Sequence, residues 1–527
     1  MLNLNNDRRI LDYDVVIVGF GAAGASAAIE AADNGARVLV LDRAYGGGAT
    51  ALSGGIIYAG GGTPYQKEAG FDDTPENMFQ YLKLETQGCV SDKLLKMFCD
   101  TSVETISWLE KQGVEFKSTL CPYKTSYPTD RHYLYYSGNE KAYPYKNHAE
   151  PAPRGHRTLA PGMSSGAVFF SHLQKSALAK GITFMPISRA ESLIIENDEV
   201  VGLKFRSMIK SSRRHRTYSK IAGKLGNWIP AIANVFNRKA DKIWIKNAEI
   251  VEVRAASTIL SAGGFAFNRD MVKSFAYPYR NVQPLGTVAD DGKGILLGLS
   301  AKGAVAQMER MTCWRFLSPP SAFIEGITTG RNGKRITNED LYGASFAEAF
   351  IHEHDGKGFL ILDHRTWKKA KEQVKTQTLP FQAAQYLYLS TFGHTKARTL
   401  EGLLSKIDVD KSAAIKTINE YNHNILNSGD ILHKDPEYCF PIKDGPFYAI
   451  DISVDVSMFF GALGISLGGL VTDDDTGVVK RNDGSLIKGL YAAGRNAVGI
   501  CGNKYVSGLS IADCVFSGRK AGRSATS

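Results

Sequence analysis

The sequence predicts an α/β fold organised around a parallel sheet with helices packed against it, and three observations point there. The apolar run Val15 to Val18 leads into Gly19-Phe20-Gly21-Ala22-Ala23-Gly24, an alanine-rich helical stretch, and a second apolar run, Val38 to Leu41, ending in Asp42. That is the order strand, tight turn, helix, strand of a parallel crossover. A later stretch, STILSAGGF over residues 257–265, again ends an apolar strand at a glycine pair. The 53 glycines also gather in clusters such as GFGAAG and GGGATALSGG, which marks tight turns and close backbone approach to a ligand.

The first unit reads as a dinucleotide site. Gly19 makes the turn, Gly21 lets the backbone approach a pyrophosphate, and Gly24 packs helix on strand. The helix opening at Ala22 and Ala23 offers unpaired N–H groups to phosphate. Asp42, at the end of the second strand, is placed to accept from a ribose hydroxyl.

Composition narrows the class. At 527 residues the chain has room for two or more domains. Its seven cysteines are scattered and form no CxxC, which argues against a disulfide framework and against a metal site. His132, His148 and His156 show no ligand spacing, so no metal is expected. No basic segment precedes a long apolar run at the N-terminus, and no apolar run reaches the ~18 residues of a membrane span, so the cytoplasm is the expected location.

The net charge of +10 is concentrated: residues 204–246 hold twelve lysines and arginines against one aspartate, leaving −1 for the rest of the chain.

After Asp42-Arg43 comes AYGGGATALSGGIIYAGGG, a second stretch rich in glycine, serine and threonine. It resembles the segment that runs along the pyrophosphate and flavin in the fumarate reductase and succinate dehydrogenase flavoprotein superfamily. SRAESLIIENDEVVGLKF, STILSAGGF, DDGKGI and GLYAAGRNAVG follow in the superfamily's order. The resemblance implies a Rossmann-like FAD-binding domain with an inserted, α+β substrate-capping domain. Residues 1–266 and 441–527 would form the FAD-binding domain and residues 267–440 the cap.

The resemblance assigns FAD contacts to Gly19, Gly21, Ala22, Ala23, Gly24, Asp42 and Arg43. Gly48, Ala49, Thr50, Ser53, Gly54 and Gly55 carry the second stretch. Ala190, Ala262, Gly263, Gly264 and Asp291 come next, then Gly494, Arg495, Gly508, Leu509 and Ser510. Relatives with a histidyl flavin bond carry a histidine before the threonine of the second stretch. Here Ala49 precedes Thr50, so non-covalent FAD is expected.

Fumarate reductases hold a dicarboxylate with an HTxGG stretch and an arginine proton donor. This chain reads GISLGGL at 464–470 and places Leu341-Tyr342-Gly343 where the arginine is expected, so both cationic anchors are missing. Tyr342, with KYVSGLS near the C-terminus, resembles the 3-ketosteroid dehydrogenases. Tyr505-Val506-Ser507-Gly508 matches the pattern of the Δ4-(5α) enzymes, and YYSGNEKAYPY and PAPRGH look like their stretches as well.

The resemblance implies FAD-dependent formation of a carbon 4–carbon 5 double bond in a steroid substrate, with electrons passing to an acceptor the sequence does not identify. Tyr505 would be the base at carbon 4. Ser507 would donate to the Tyr505 oxygen, and the flavin and a helix N-terminus would lower the phenol's pKa. Tyr342 would donate to the 3-keto oxygen. Tyr133, Tyr135 and Tyr136 are expected as pocket wall, and Ser507 as a helix cap is the structural alternative. Three other functions stay open: a Δ1-dehydrogenase, an enone reductase of the same fold, and a flavin-bearing redox sensor.

The basic segment interrupts what should be a β-meander. Its middle, IAGKLGNWIPAIANVF, is apolar with helical spacing broken at Pro230 and includes Trp228. Cations flanking an apolar stretch predict peripheral membrane contact at 204–246. A solvated loop or a self-association arm is the alternative. Nucleic acid is not expected as a partner, because no nucleic-acid-binding motif accompanies the charge.

Overall fold

A computed structural model describes residues 9–208, 212–225, 230–456 and 461–527. Trp228 lies outside the described residues.

The main sheet runs in the order Val478–Lys480, Leu486–Ala492, Glu249–Leu260, Arg9–Val18, Val38–Leu41, Thr183–Met185. All its neighbours pair in parallel except the first two strands. Val15, Val16 and Ile17 are fully buried, as a parallel strand covered on both faces requires. The sheet thus joins the first half of the chain to its last fifty residues.

Two helices fasten that junction. The first helix, Ala22–Asp33, packs on the terminal helix, Leu509–Ser524. A Cβ on Gly518 would lie 2.3 Å from the Ala23 carbonyl oxygen, and one on Gly522 2.4 Å from that of Ala27. Small residues therefore bring the two helices to backbone contact. Glu30 closes the seam, accepting from Arg519 Nε at 2.6 Å and Arg523 Nε at 2.8 Å.

The basic segment lies within a meander, as expected. Ser188–Glu196, Glu199–Ser207 and Glu249–Leu260 pair antiparallel, with Ser207 opposite both Ser188 and Glu249. Between the last two strands the chain forms a helical hairpin, Arg213–Leu225 and Pro230–Asn247. Pro230 opens the second helix, where a missing N–H costs nothing. No described helix is long and apolar enough to cross a membrane.

The inserted segment has its own antiparallel sheet, ordered Ile327–Gly330, Gly358–Leu362, Phe447–Asp451, His394–Ala397. Phe447–Asp451 belongs to this sheet although it follows the expected boundary at residue 440. A smaller sheet joins Gln283–Pro284, Leu463–Ser466 and Met311–Trp314. It carries Trp314 to the terminal helix's entry loop.

Candidate active site

The glycine-rich turn is built to backbone contact. Gly19 has φ +105°, and a Cβ there would lie 2.5 Å from the Ser261 carbonyl oxygen. A Cβ on Gly24 would lie 1.9 Å from the Gly19 carbonyl oxygen. Gly21 is the helix N-cap and no side chain caps it. The Ala22 N–H, expected unpaired, instead donates to Thr50 Oγ1 at 3.1 Å, which seats the second glycine-rich stretch against the first. Gly494 faces this helix, its Cβ position 3.0 Å from Ala23 Cβ.

Gly48, Ala49 and Thr50 lie in a short helix, Gly48–Leu52. Ser53 Oγ donates to the Thr50 carbonyl at 2.7 Å and accepts from the Gly55 N–H at 3.1 Å. The Gly54 carbonyl accepts from Tyr127 at 2.9 Å. At the end of the second strand, Asp42 accepts from the Phe20 N–H at 2.9 Å and the Ala44 N–H at 2.7 Å. Its carboxylate therefore braces the turn and has lone pairs left for a sugar hydroxyl. Arg43 pairs with Asp291 and donates to the Val288 carbonyl. Ala190 sits in strand Ser188–Glu196 with its methyl buried.

The third wall is the Ala262-Gly263-Gly264 turn. Asn496 accepts from the Ala262 N–H at 2.5 Å and donates to the Gly263 carbonyl at 2.8 Å. Buried Asp290 accepts from the Gly264 N–H at 3.1 Å, the Thr287 N–H at 3.0 Å and Arg495 Nη2 at 2.5 Å. Arg495 Nη1 is buried without a hydrogen-bond partner among the described residues. Gly508 has φ +89° and opens the terminal helix without a side-chain cap, with Leu509 buried and Ser510 half-buried in the first turn. A cradle that Cβ atoms would fill, the N-termini of two helices opened by Gly21 and Gly508, and an orphaned guanidinium N–H fit an anionic dinucleotide with a polar ring edge, and so fit FAD.

Beside this cradle the structure brings Tyr505, Ser507 and Tyr342 together. Tyr505 is half-buried, edge-on to Trp314 with ring centroids 5.1 Å apart. Burial pushes its phenol up, and the nearby Cys501 pushes the same way. The Gly508 N–H and the Arg495 charge pull down less. The expected lowering by the helix terminus is thus corrected: it is present and desolvation outweighs it.

A second correction concerns Ser507. Its N–H donates to the Ser137 carbonyl at 3.0 Å. Ser507 Oγ instead accepts from the Tyr135 hydroxyl at 2.8 Å and lies beside the Tyr342 hydroxyl. It does not cap the terminal helix, whose N-cap is Gly508.

Tyr342 is buried and edge-on to Phe316 at 5.5 Å. Burial pushes its phenol well above the usual range, and neighbouring Tyr505 and Tyr135 add to this. Ser507 and the Trp314 indole N–H favour its anion. A recess lined by Tyr136, Phe316, Leu317 and Tyr342 opens alongside.

Four contributors were missed in the sequence. Tyr135, expected only as pocket wall, feeds Ser507. Asp290, not its neighbour Asp291, is the buried carboxylate of the glycine turn, and Asn496 pins that turn. Asn139 spans the two parts of the molecule: its Oδ1 accepts from the Tyr342 N–H at 2.6 Å, and its Nδ2 donates to Glu85 and Ser345, each at 2.8 Å. Tyr135 pairs in the sheet with Gly155 of PAPRGH, a neighbour that no local pattern singles out. No local signal marked Asn139. His156 is an ordinary hydrogen-bonded core histidine, with Nε2 2.9 Å from Thr63 Oγ1.

Comparison with known proteins bears on this geometry. The family described as FAD binding domain matches residues 14–511. A 3-oxo-5-alpha-steroid 4-dehydrogenase from Comamonas testosteroni is 36% identical, over 91% of this chain and 92% of its own. The crystal structure of the 3-ketosteroid Δ4-(5α)-dehydrogenase from Rhodococcus jostii RHA1, in complex with 4-androstene-3,17-dione, aligns with a TM-score of 0.83. It is 31% identical, covering 99% of this chain and 98% of that one. A flavocytochrome c3 fumarate reductase, 20% identical with a TM-score of 0.65 over 98% of this chain and 78% of its own, shares the fold.

Proposed function

Because the chain belongs to the FAD binding domain family, we propose that it is an FAD-dependent 3-oxosteroid 4-dehydrogenase that introduces the carbon 4–carbon 5 double bond. The observation that carries this reading is the convergence of Tyr505, Ser507 and Tyr342 into one hydroxyl cluster beside the FAD cradle, where neither dicarboxylate anchor of a fumarate reductase is present.

The Gly19–Gly24 turn, Thr50 and Arg495 would hold FAD, which when bound would supply the acceptor for the hydride that leaves carbon 5. Tyr342 donates to the 3-keto oxygen. Because Tyr135 donates to Ser507, the serine's own hydrogen is free for the neighbouring Tyr342 oxygen, which leaves the Tyr342 hydrogen for the ketone. This stabilises the developing enolate and makes the carbon 4 proton easier to remove. Tyr505, as the phenolate, takes that proton and becomes the neutral phenol, and the Gly508 N–H steadies the phenolate before the transfer. Trp314 and Phe316 hold the rings of Tyr505 and Tyr342 edge-on.

The test is anaerobic titration of the holoenzyme. A saturated 5α-3-ketosteroid should bleach the flavin within one turnover, and succinate should leave the spectrum unchanged. No bleaching by the steroid, or fumarate reduction with a viologen donor, overturns the reading.

The steroid's apolar character supports a second element, membrane contact through the helical hairpin. Ile232, Val235 and Ile245 are 45%, 50% and 63% exposed among the hairpin's lysines and arginines. An apolar edge set among cations suits an anionic lipid surface. Each basic residue at such a surface contributes about 1 kcal/mol. Reversing Lys220, Arg238 and Lys246 to glutamate should therefore weaken sedimentation with phosphatidylserine vesicles at least a hundredfold at low salt. Unchanged sedimentation rules the contact out.

A further inference from the structure

The hairpin has an inward face as well, and we propose that this face clamps the adenosine end of the FAD site. The inference rests on reading the Asp42 turn as the seat of the cofactor's adenosine ribose.

The turn after the second strand is stitched to the strand beside it: the Asp42 carbonyl accepts from the Ser188 N–H, and the Ala44 carbonyl from the Ile187 N–H, each at 2.8 Å. The hairpin seats on the same residues. Trp244 Nε1 donates to the Ile187 carbonyl at 3.0 Å. Trp244, Ile187 and Met208 form a separate buried cluster with Tyr45 and Ile243 packed against it. Asp241 pairs with Arg189 at 2.5 Å, and the Arg189 guanidinium lies 4.0 Å over the Trp244 ring. From the other helix, His215 Nδ1 is 3.3 Å from the Tyr45 hydroxyl, and Arg216 sits over the Tyr45 ring at 5.6 Å. Both helices thus hold the segment from Asp42 to Tyr45 from outside, through Tyr45 and through Ile187 to Arg189.

The charge arrangement on the inward face fits a clamp. Asp241 is the one carboxylate among the twelve basic residues of the segment, and it is spent inward on Arg189. Arg43 beside it is matched by Asp291. Lifting the hairpin removes both Asp241 and the Trp244 ring from Arg189, and leaves that cation facing Arg43 next to the ribose-binding carboxylate. The turn then loses packing on one side and gains like-charge repulsion on the other.

FAD release from the holoenzyme, followed by the rise in flavin fluorescence on dilution, tests this directly. Trp244→Ala should release FAD at least tenfold faster than wild type, with far-UV circular dichroism unchanged. Trp244→Phe, which keeps a ring and loses the donor, should fall between. Lys246→Glu, on the outward face, should release FAD at the wild-type rate. Should Trp244→Ala not fold, Asp241→Asn keeps the core intact and should still release FAD about threefold faster. Release within twofold of wild type for Trp244→Ala, or for Asp241→Asn in its place, overturns the clamp. The readout is independent of turnover: a protein that takes up FAD and oxidises no steroid defeats the proposed function and leaves the clamp standing.

Discussion

Tyr505→Phe should slow flavin reduction by a saturated 3-ketosteroid by about 10²–10⁴-fold, the usual loss when a positioned acid–base group is removed. The ring keeps its edge contact with Trp314 and its place against the core, so FAD content and thermal stability should hold. Only the phenol oxygen is lost. Because burial pushes that phenol up, the basic form is scarce at neutral pH and its population grows as pH rises. The wild-type rate of flavin reduction should therefore climb with pH through neutrality and show no plateau below about pH 10, the ordinary phenol range. In Tyr505→Phe that climb should vanish. Ser507→Ala and Tyr342→Phe should cost less and should not add, because the serine acts through Tyr342. Stopped-flow rates for Tyr505→Phe within threefold of wild type would mean that the phenol is packing.

The parts of this fold that were legible in the sequence are those written into short stretches. Gly19, Gly21 and Gly24 encode a backbone path, since a Cβ at Gly19 or Gly24 meets a carbonyl oxygen closer than any side chain tolerates. Tyr505 and Ser507 came from the resemblance of KYVSGLS to the 3-ketosteroid dehydrogenases, and Tyr342 from standing where fumarate reductases carry their arginine. What escaped was decided by contacts across the chain. The Tyr135–Ser507 bond joins residues 372 positions apart, so nothing near Tyr135 distinguishes it from Tyr133 or Tyr136.

Phe447–Asp451 is a five-residue apolar strand whose allegiance depends on pairing with Gly358–Leu362. Composition found the hairpin's cations. Its inward face depends on where Trp244 and Asp241 land against Ile187 and Arg189, which a helical period cannot specify.

Asp290→Asn should be the most damaging conservative change in the FAD cradle, and Asp291→Asn a mild one. The two acids are adjacent in DDGKGI but have different partners, Asp290 on Gly264, Thr287 and Arg495 and Asp291 on Arg43. Asp290 is 2% exposed and accepts from two backbone N–H groups and from Arg495, itself 9% exposed. An amide at 290 loses the negative charge and turns one acceptor into a donor facing donors. Arg495 would then be a buried cation without its counter-ion, a change that costs about 3–5 kcal/mol in comparable pairs. The loss should appear in urea unfolding of the apoprotein, and as weakened FAD binding, because the Gly263–Gly264 turn loses its brace. Asp291, with a side chain 37% exposed, faces Arg43 at the rim. Pairs of that kind contribute about 0–1 kcal/mol. Equal effects of the two substitutions would mean that the Arg495–Asp290 pair does not hold the turn, and that the Ala262–Gly264 backbone keeps its path through Asn496 alone.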